Sequence, residues 1–266
     1  MTGAATEQDP TSSGHSIHPP LAADAAALAS PGSGGSPRAG AILLPVSRNI
    51  AAARRLRPGA RRRERGRLRV SHFFWSRLHS LSGVVPVGVF LIFHLWANSA
   101  AFAGPAAYNQ VVRLLESLPA LIVVETLLIY LPILYHAVYG FVVMRDARYN
   151  VNRYPFARNW FFLLQRATGV IVFVFIVYHV LTIRFVGPSA SFAKVAGELS
   201  SPWGLAFYIL GILSATWHLS NGLWLFGINW GILISPRAQR VAQWVLAVFF
   251  VALSVLGVGS AIAFVA

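Results

Sequence analysis

Long apolar segments with almost no charged positions dominate the chain after residue 77. A helix rises about 1.5 Å per residue, so roughly 20 apolar residues cross the hydrocarbon core of a bilayer. Five segments reach this length, and only two of them contain a charge, Glu125 in one and Arg166 in the other. The pattern predicts an all-α integral membrane protein with five transmembrane helices, near residues 78–100, 119–143, 160–184, 203–229 and 241–264.

The composition agrees with a membrane protein and excludes several kinds of metal and redox site. The 266 residues are 56% apolar and 11% charged, whereas soluble domains are about one-quarter charged. Cysteine is absent, which excludes disulfides, thiolate zinc sites and Cys-ligated iron–sulfur clusters. Any redox centre in this chain must therefore be held by other ligands.

The N-terminal part differs from the rest. Residues 1–71 are expected to form a disordered, Arg-rich cytoplasmic tail, and residues 72–266 the membrane domain, because the tail lacks sustained apolar periodicity. Ten arginines and one glutamate lie between Arg54 and Arg77. No aromatic residue is interleaved with Arg54–Arg69, so anionic membrane lipid is the expected partner of this block and nucleic acid is not.

The arginines also predict the orientation. The tail, the 145–158 loop and the 237–240 turn carry most of them and fall on one side of the membrane. The opposite side has few charges: Arg113, Arg184, Lys194, Glu116 and Glu198. The positive-inside rule then places the N-terminus in the cytoplasm and the C-terminus outside.

Four histidines fall one each on the first four predicted spans. An ionisable group inside a membrane is costly and usually functional, although a single one can serve as an interhelical hydrogen bond. Because successive spans run in opposite directions, His136 and His218 are expected in the inner half of the bilayer, and His94 and His179 in the outer half. We name them the inner pair and the outer pair.

Two histidine pairs at two depths are what two non-covalent b-type haems require, since each haem iron takes one imidazole from either face. Zinc would need further ligands at the same depth, and none is available. A histidine proton relay remains possible but gives no reason for pairing. The pairs are about 15 Å apart at the usual helical rise. Small residues on the spans would let a macrocycle or another helix approach: Gly83, Gly88, Gly140, Gly169 and Gly222.

Arg166 is expected two or three turns into the third span, level with His79 on the first. An inner haem would present its propionates there, and a charge-assisted pair would offset the burial of Arg166. Glu125 is expected near the opposite face, so an ion pair between Glu125 and Arg166 is not expected.

Four sequence segments resemble a known family: SRLHSLSGVVPVGVFLIFHL (76–95), LPILYHAVYG (131–140), RNWFFLLQRATG (158–169) and WHLSNGLWLF (217–226). They are similar to the single-chain, five-helix dihaem cytochrome b anchor of succinate:menaquinone oxidoreductases. The similarity covers essentially 72–266. YHAVYG and HLSNGLW, each with its histidine in place, are its most specific parts.

The resemblance implies proximal-haem ligation by His136 and His218 and distal-haem ligation by His94 and His179. It implies an iron–sulfur subunit on the cytoplasmic face of a bacterial inner membrane, and an FAD-containing flavoprotein subunit beyond it that oxidises succinate. It also implies menaquinone as the substrate of this subunit. Succinate chemistry itself is expected on another chain, because this one has no cysteine and no dinucleotide-binding domain.

The resemblance also singles out two positions on the proton path. Related fumarate reductases use an acidic residue just before the second span, where Glu116 stands, so Glu116 is the candidate for quinone protonation. A helix beginning near Pro119 would favour the ionised form of Glu116, and a surface pair with Arg113 is the alternative role. Thr216 occupies the position of a buried Glu in those relatives, so their transmembrane proton route is not expected here.

Together these features predict the anchor of a succinate dehydrogenase, passing electrons through the inner and then the outer haem to menaquinone. Other functions stay open at this point. The same anchor could run in the quinol-oxidising direction of a fumarate reductase. Dihaem subunits of nitrate reductases and haem-bearing ferric reductases tend to place two ligands on one helix. A transporter with histidine proton sites is the alternative from another class.

Overall fold

A computed structural model describes residues 72–147 and 149–266, which belong to the unit Leu56–Ala266 and contain helices but no strand. The predicted tail, residues 1–71, lies outside the described residues. Counting continuous π and 3₁₀ turns with the helices they extend, the described part forms seven helices: α1 (His72–Ala103), α2 (Pro105–Glu116), α3 (Leu121–Arg145), α4 (Ala157–Phe185), α5 (Phe192–Leu199), α6 (Pro202–Asn229) and α7 (Pro236–Ala263).

Four of these helices, α1, α3, α4 and α7, are long and apolar enough to cross a membrane. Helices α5 and α6 reach this criterion only together and are bent by 103° relative to each other, so the described residues hold four candidate spans, or five. The predicted all-α membrane class is confirmed. The helix bounds agree with the predicted spans to within a few residues, except that α1 begins six residues earlier and α7 five residues earlier.

The bundle is formed by four helices, α1, α3, α4 and α6. Each contacts the next in this order, and α6 also contacts α1. Helix α7 packs on α6 and α1. The fully buried Thr216 reinforces the junction of α6 and α7, because its Oγ1 lies 2.8 Å from Ser254 Oγ. Interhelical hydroxyl pairs of this kind hold helices together where the lipid offers no hydrogen bond. Most large apolar side chains of α3 and α4 are exposed, as on a lipid-facing surface.

Three of the spans contain wide π-helical segments, and a proline accompanies two of these segments, Gly83–Gly88 and Thr126–Tyr130. Pro86 lies inside the first segment, and Pro132 follows the second by two residues. Proline lacks an N–H and its ring clashes with the carbonyl four residues earlier, so a wider turn accommodates it. A third π segment, Leu181–Phe185, ends α4 directly after His179 and Val180.

The two short helices, α2 and α5, were not predicted from the sequence. Helix α2 starts with Pro105 after Gly104, and Ser191 caps α5 by accepting a hydrogen bond from the Lys194 backbone N–H. The Phe192 backbone N–H donates to Asn109 Oδ1 at 2.8 Å and joins the two helices. Both lie between spans, where a search for long apolar segments does not find them.

The bundle has two distinguishable ends. We call the end formed by the start of α1, the α3–α4 connection and the α6–α7 turn the arginine end. The opposite end carries α2, α5 and the end of α7. There Tyr108 of α2 packs edge to face on Phe264, with ring centroids 4.9 Å apart.

Candidate functional site

The four span histidines lie in two pairs inside the helix bundle. The rings of His94 on α1 and His179 on α4 are 5.7 Å apart between centroids, and those of His136 on α3 and His218 on α6 are 6.1 Å apart. Both pairs meet edge to face. These are the two pairs that the depth argument brings together. Within the described residues no three His, Cys, Asp or Glu side chains gather as a metal site.

The inner pair is oriented by backbone carbonyls. His136 Nδ1 lies 3.0 Å from the carbonyl oxygen of His79, and His218 Nδ1 lies 3.0 Å from that of Gln165. A carbonyl can only accept, so Nδ1 carries the proton in both rings and Nε2 keeps its lone pair. This arrangement sets the tautomer of most metal-ligating histidines.

Glycines of neighbouring helices pack against the inner rings. A Cβ atom at Gly83 would clash with the ring of His136, and one at Gly169 would lie 3.1 Å from His218 Cε1. A Cβ atom at Gly140 would lie 3.4 Å from His79 Cε1. Three of the five glycines noted in the sequence therefore lie against histidine rings at this level of the bundle.

His79 and Arg166 each keep a polar nitrogen that is buried without a partner, His79 Nδ1 and Arg166 Nε. The ring of His79 stacks on that of His136 with centroids 4.2 Å apart. Arg166 Nη1 donates to the carbonyl of Phe162 at 2.9 Å, and its guanidinium lies over the Phe162 ring. Neither residue forms an ion pair within the described part of the chain.

Glu125 is not the partner of Arg166. Its carboxylate binds Arg184 near the end of α4, with Arg184 Nη2 3.0 Å from Glu125 Oε2. The ion pair joins α3 and α4 near the end of the bundle opposite to the arginine end. The geometry agrees with the expectation that Glu125 lies far from Arg166.

The outer pair is held by side chains instead of carbonyls. His179 Nδ1 lies 3.4 Å from the hydroxyl of the buried Tyr208, and His94 Nε2 lies 3.3 Å from Asn98 Nδ2. Asn98 also donates to the carbonyl of His94 at 2.8 Å. Phe175 stacks on His179 with centroids 5.5 Å apart.

Sequence reasoning missed Tyr208, Asn98 and Gln165. Asn98 follows His94 by four residues and so lies on the same face of α1, a spacing that was available from the sequence. Gln165 stands beside Arg166 in a segment already singled out, and its Nε2 donates to the carbonyl of His218 at 3.0 Å. Tyr208 gives no such signal, because its contact with His179 depends on the packing of α6 on α4.

The predicted environment of Glu116 is wrong. Glu116 is the last residue of α2, and α3 begins only at Leu121, after Ala120 in a left-handed conformation with φ 52°. The carboxylate therefore stands at the C-terminal end of a helix, where the helix dipole disfavours an anion, and not at an N-terminus. The error arises because residues 105–116, expected to be a loop, form a helix of their own. Glu116 is exposed, and no ion pair joins it to Arg113 among the described residues.

Comparison with known proteins agrees with this architecture. The chain matches the family model described as "Succinate dehydrogenase/Fumarate reductase transmembrane subunit" over residues 53–151 and 148–257. It is 45% identical over 196 residues, 73% of this chain and 97% of the relative, to the succinate dehydrogenase cytochrome b558 subunit of Bacillus subtilis.

A second relative is the succinate dehydrogenase hydrophobic membrane anchor subunit of Thermoplasma acidophilum. It is 38% identical over 61 residues, which are 22% of this chain and 50% of that protein. The family match spans most of the chain, and the Bacillus subtilis similarity extends over nearly the whole relative. The chain therefore belongs to the transmembrane subunits of the succinate dehydrogenase/fumarate reductase family, the cytochrome b membrane anchors of an oxidoreductase whose succinate site lies on another chain.

Proposed function

We propose that this anchor binds two b-type haems, one at the inner pair and one at the outer pair, and delivers electrons from succinate oxidation to menaquinone. The main support for the proposal is the geometry of the inner pair. Both Nδ1 atoms face backbone carbonyls, so both Nε2 atoms remain available as ligands. The name of the Bacillus subtilis relative, a cytochrome b558 subunit, supports haem as the cofactor.

The residues present fit such a group. The four imidazoles would hold the haems, two imidazoles for each, without a thioether link, as a chain without cysteine requires. Gly83 and Gly169 bring neighbouring backbone close to the inner rings. A bound b-type haem supplies reversible one-electron chemistry in a part of the membrane that water does not reach.

His79 and Arg166 are proposed to face the propionates of the inner haem. Each has a buried nitrogen without a protein partner, and an unsatisfied buried polar group is unfavourable. A carboxylate from outside the chain would accept a hydrogen bond from Arg166 Nε, and such charge-assisted bonds are among the strongest in proteins. This accounts for the buried Nε of a half-buried arginine that lacks a carboxylate partner in the described residues.

Menaquinone is proposed to react near the outer pair, with protons supplied from the end of the bundle that carries α2 and α5. Three acidic residues are available there. Glu125 is held in the ion pair with Arg184, and Glu198 accepts a hydrogen bond from Tyr178 Oη at 2.7 Å. Glu116 is exposed and forms no ion pair in the described part of the chain. It is therefore the proposed proton donor to the quinone.

The arginine end is proposed to face the cytoplasm of a bacterium and to receive an iron–sulfur subunit, with an FAD-containing flavoprotein beyond it. The positive-inside rule supports this orientation. An electron that moves outward through such an anchor gains about 2.3 kcal/mol per 100 mV of membrane potential. Two electrons per quinone double that gain and favour the reduction of a low-potential quinone.

The experiment that tests the proposed function is purification of the chain, with whatever subunits remain bound, in a mild detergent. We expect two non-covalent haems b per chain, together with an iron–sulfur protein and a flavoprotein, and reduction of both haems by succinate. A preparation that retains the partner subunits and reduces menaquinone with one haem or none would contradict the proposal.

A further inference from the structure

A groove of about 740 Å³ runs between α6 and α7 at the arginine end. Its walls are mainly apolar and come from both helices and from the turn between them, with Leu223, Phe226, Val241, Val245 and Leu246 among them. Arg237 is the one charged side chain in this lining. The groove thus combines a long apolar wall with a cation at one end.

The turn beside the groove is apolar as well. Ile232 is 66% exposed and Ile234 is 82% exposed, and both belong to the short turn that joins α6 to α7. Trp230, at the end of α6, is partly exposed too. Exposed isoleucines and a tryptophan at the end of two membrane helices are typical of the membrane interface. We therefore expect the groove to open toward the lipid headgroups of the membrane.

Four arginines surround this turn. Arg237 and Arg240 lie in the first turns of α7, where no acidic residue stands. Arg158 Nη2 donates to Gln239 Oε1 at 2.8 Å, and the Arg77 guanidinium lies 5.1 Å from the centre of the Trp230 ring.

No carboxylate in the described residues pairs with Arg237 or Arg240. The helix dipole disfavours cations at this end of α7, and neighbouring like charges repel. The positive-inside rule accounts for arginines at this end, but the helix itself gains no stability from them, and together they form a cation cluster that an anion would neutralise.

We propose that the α6–α7 groove binds an anionic phospholipid, with its phosphate at Arg237 and Arg240 and an acyl chain along the apolar wall. The cations of the groove match a phosphate headgroup, and its apolar wall between two membrane helices matches an acyl chain, whereas a soluble subunit at this end would contact the exposed turn and not the helix–helix groove. Basic pockets between transmembrane helices on the cytoplasmic side have the chemistry that anionic headgroups require. The lipid would hold α7 against α6 at the end where their turn is exposed.

The test measures lipid on the whole purified complex. The complex is delipidated, incubated with vesicles of phosphatidylcholine with or without phosphatidylglycerol, re-extracted in mild detergent and analysed by native mass spectrometry. We expect wild type to retain phosphatidylglycerol and not phosphatidylcholine, and an Arg237→Gln, Arg240→Gln double variant to lose it. The matched control is Arg145→Gln, Arg153→Gln, which removes two exposed arginines, one at the end of α3 and one in the α3–α4 connection, and should retain the lipid.

A second variant tests the groove itself. Ala242→Phe leaves all arginines in place and fills the apolar wall to which Ala242 contributes, so it should also lose the lipid. Haem content identical to wild type shows in each case that the variant is folded. Retention of phosphatidylglycerol by either the double variant or Ala242→Phe would overturn the proposal. Loss of the soluble subunits with retention of the lipid would instead identify the arginines as a protein-docking surface and would equally overturn it.

Discussion

The inner and outer histidine pairs lie in the same bundle but are oriented by different kinds of group. Each inner ring has its Nδ1 3.0 Å from a backbone carbonyl, and glycines pack against it; the side-chain hydroxyl nearest to His218 Nδ1, that of Thr168, is farther away at 3.4 Å. The outer rings contact the side chains of Tyr208 and Asn98 and the face of Phe175. A carbonyl inside a helix cannot be removed by substitution or turned away, whereas a phenol or an amide can.

This difference predicts two kinds of haem environment. The inner site should be rigid, with a fixed ligand tautomer and with the half-buried Arg166 on the same helix as the Gln165 carbonyl that contacts His218. The outer site should be adjustable, because the groups that contact its imidazoles are side chains whose chemistry can be changed one at a time.

Loss of an inner ligand should affect the whole complex, whereas loss of an outer ligand should not. His218→Ala removes a ring that connects α6 to α4 and lies toward the arginine end, so we expect loss of the inner haem and of most of the bound iron–sulfur and flavoprotein subunits. His94→Ala should lose the outer haem alone and keep both subunits. Co-purification of the subunits with each variant measures this. Equal subunit loss in the two variants would remove the distinction between the sites.

A single methyl group should disturb the inner site. Gly83→Ala places a Cβ atom into the ring of His136, so the ring must move off its carbonyl anchor. We expect reduced inner-haem occupancy or a shifted inner-haem spectrum with an unchanged outer haem. Gly197→Ala on α5 is the matched control, since nothing lies within 4 Å of a Cβ atom there. Spectra of both variants that match wild type would show that the close contact at Gly83 has no bearing on haem binding.

Removing the titratable proton of Glu116 should slow the quinone reaction without changing either haem. Glu116→Gln keeps the size and polarity of the side chain, and general acid–base groups contribute about 10²–10⁴-fold. We expect succinate-to-menaquinone turnover to fall at least about tenfold, while succinate-to-artificial-acceptor activity and haem content stay at wild-type values. Glu198→Gln serves as the comparison at the same end. Unchanged menaquinone turnover in Glu116→Gln would assign the proton to another group.

The smallest expected effect is on the potential of the outer haem. Tyr208→Phe removes the hydroxyl that lies 3.4 Å from His179 Nδ1. An acceptor on the distal nitrogen makes an imidazole a more basic ligand, which favours oxidised iron, so its loss should raise the outer midpoint potential and leave the inner one unchanged. Potentiometric titration measures both. Tyr139→Phe, near His79 and away from the outer pair, is the control substitution.

Much of the membrane architecture could be predicted from the sequence, because charge-free apolar segments and one histidine per span are directly visible. The short helices α2 and α5 could not be predicted in this way, since they are amphipathic, lie between spans and are defined by tertiary contacts such as Asn109 with Phe192. The misplaced environment of Glu116 follows from that omission. The carbonyl anchors of His136 and His218 could not be predicted either, because every residue has a carbonyl and only packing selects which one is used.

We expect the four histidines to act as two pairs, each holding one haem. Potentiometric titration of haem b in the four single variants His94→Ala, His136→Ala, His179→Ala and His218→Ala tests it most directly. We expect two classes of variant: His94→Ala and His179→Ala should retain the same haem, with one shared potential, and His136→Ala and His218→Ala should retain the other. Variants that lose haem in any other combination, such as His94→Ala grouping with His136→Ala, would contradict it.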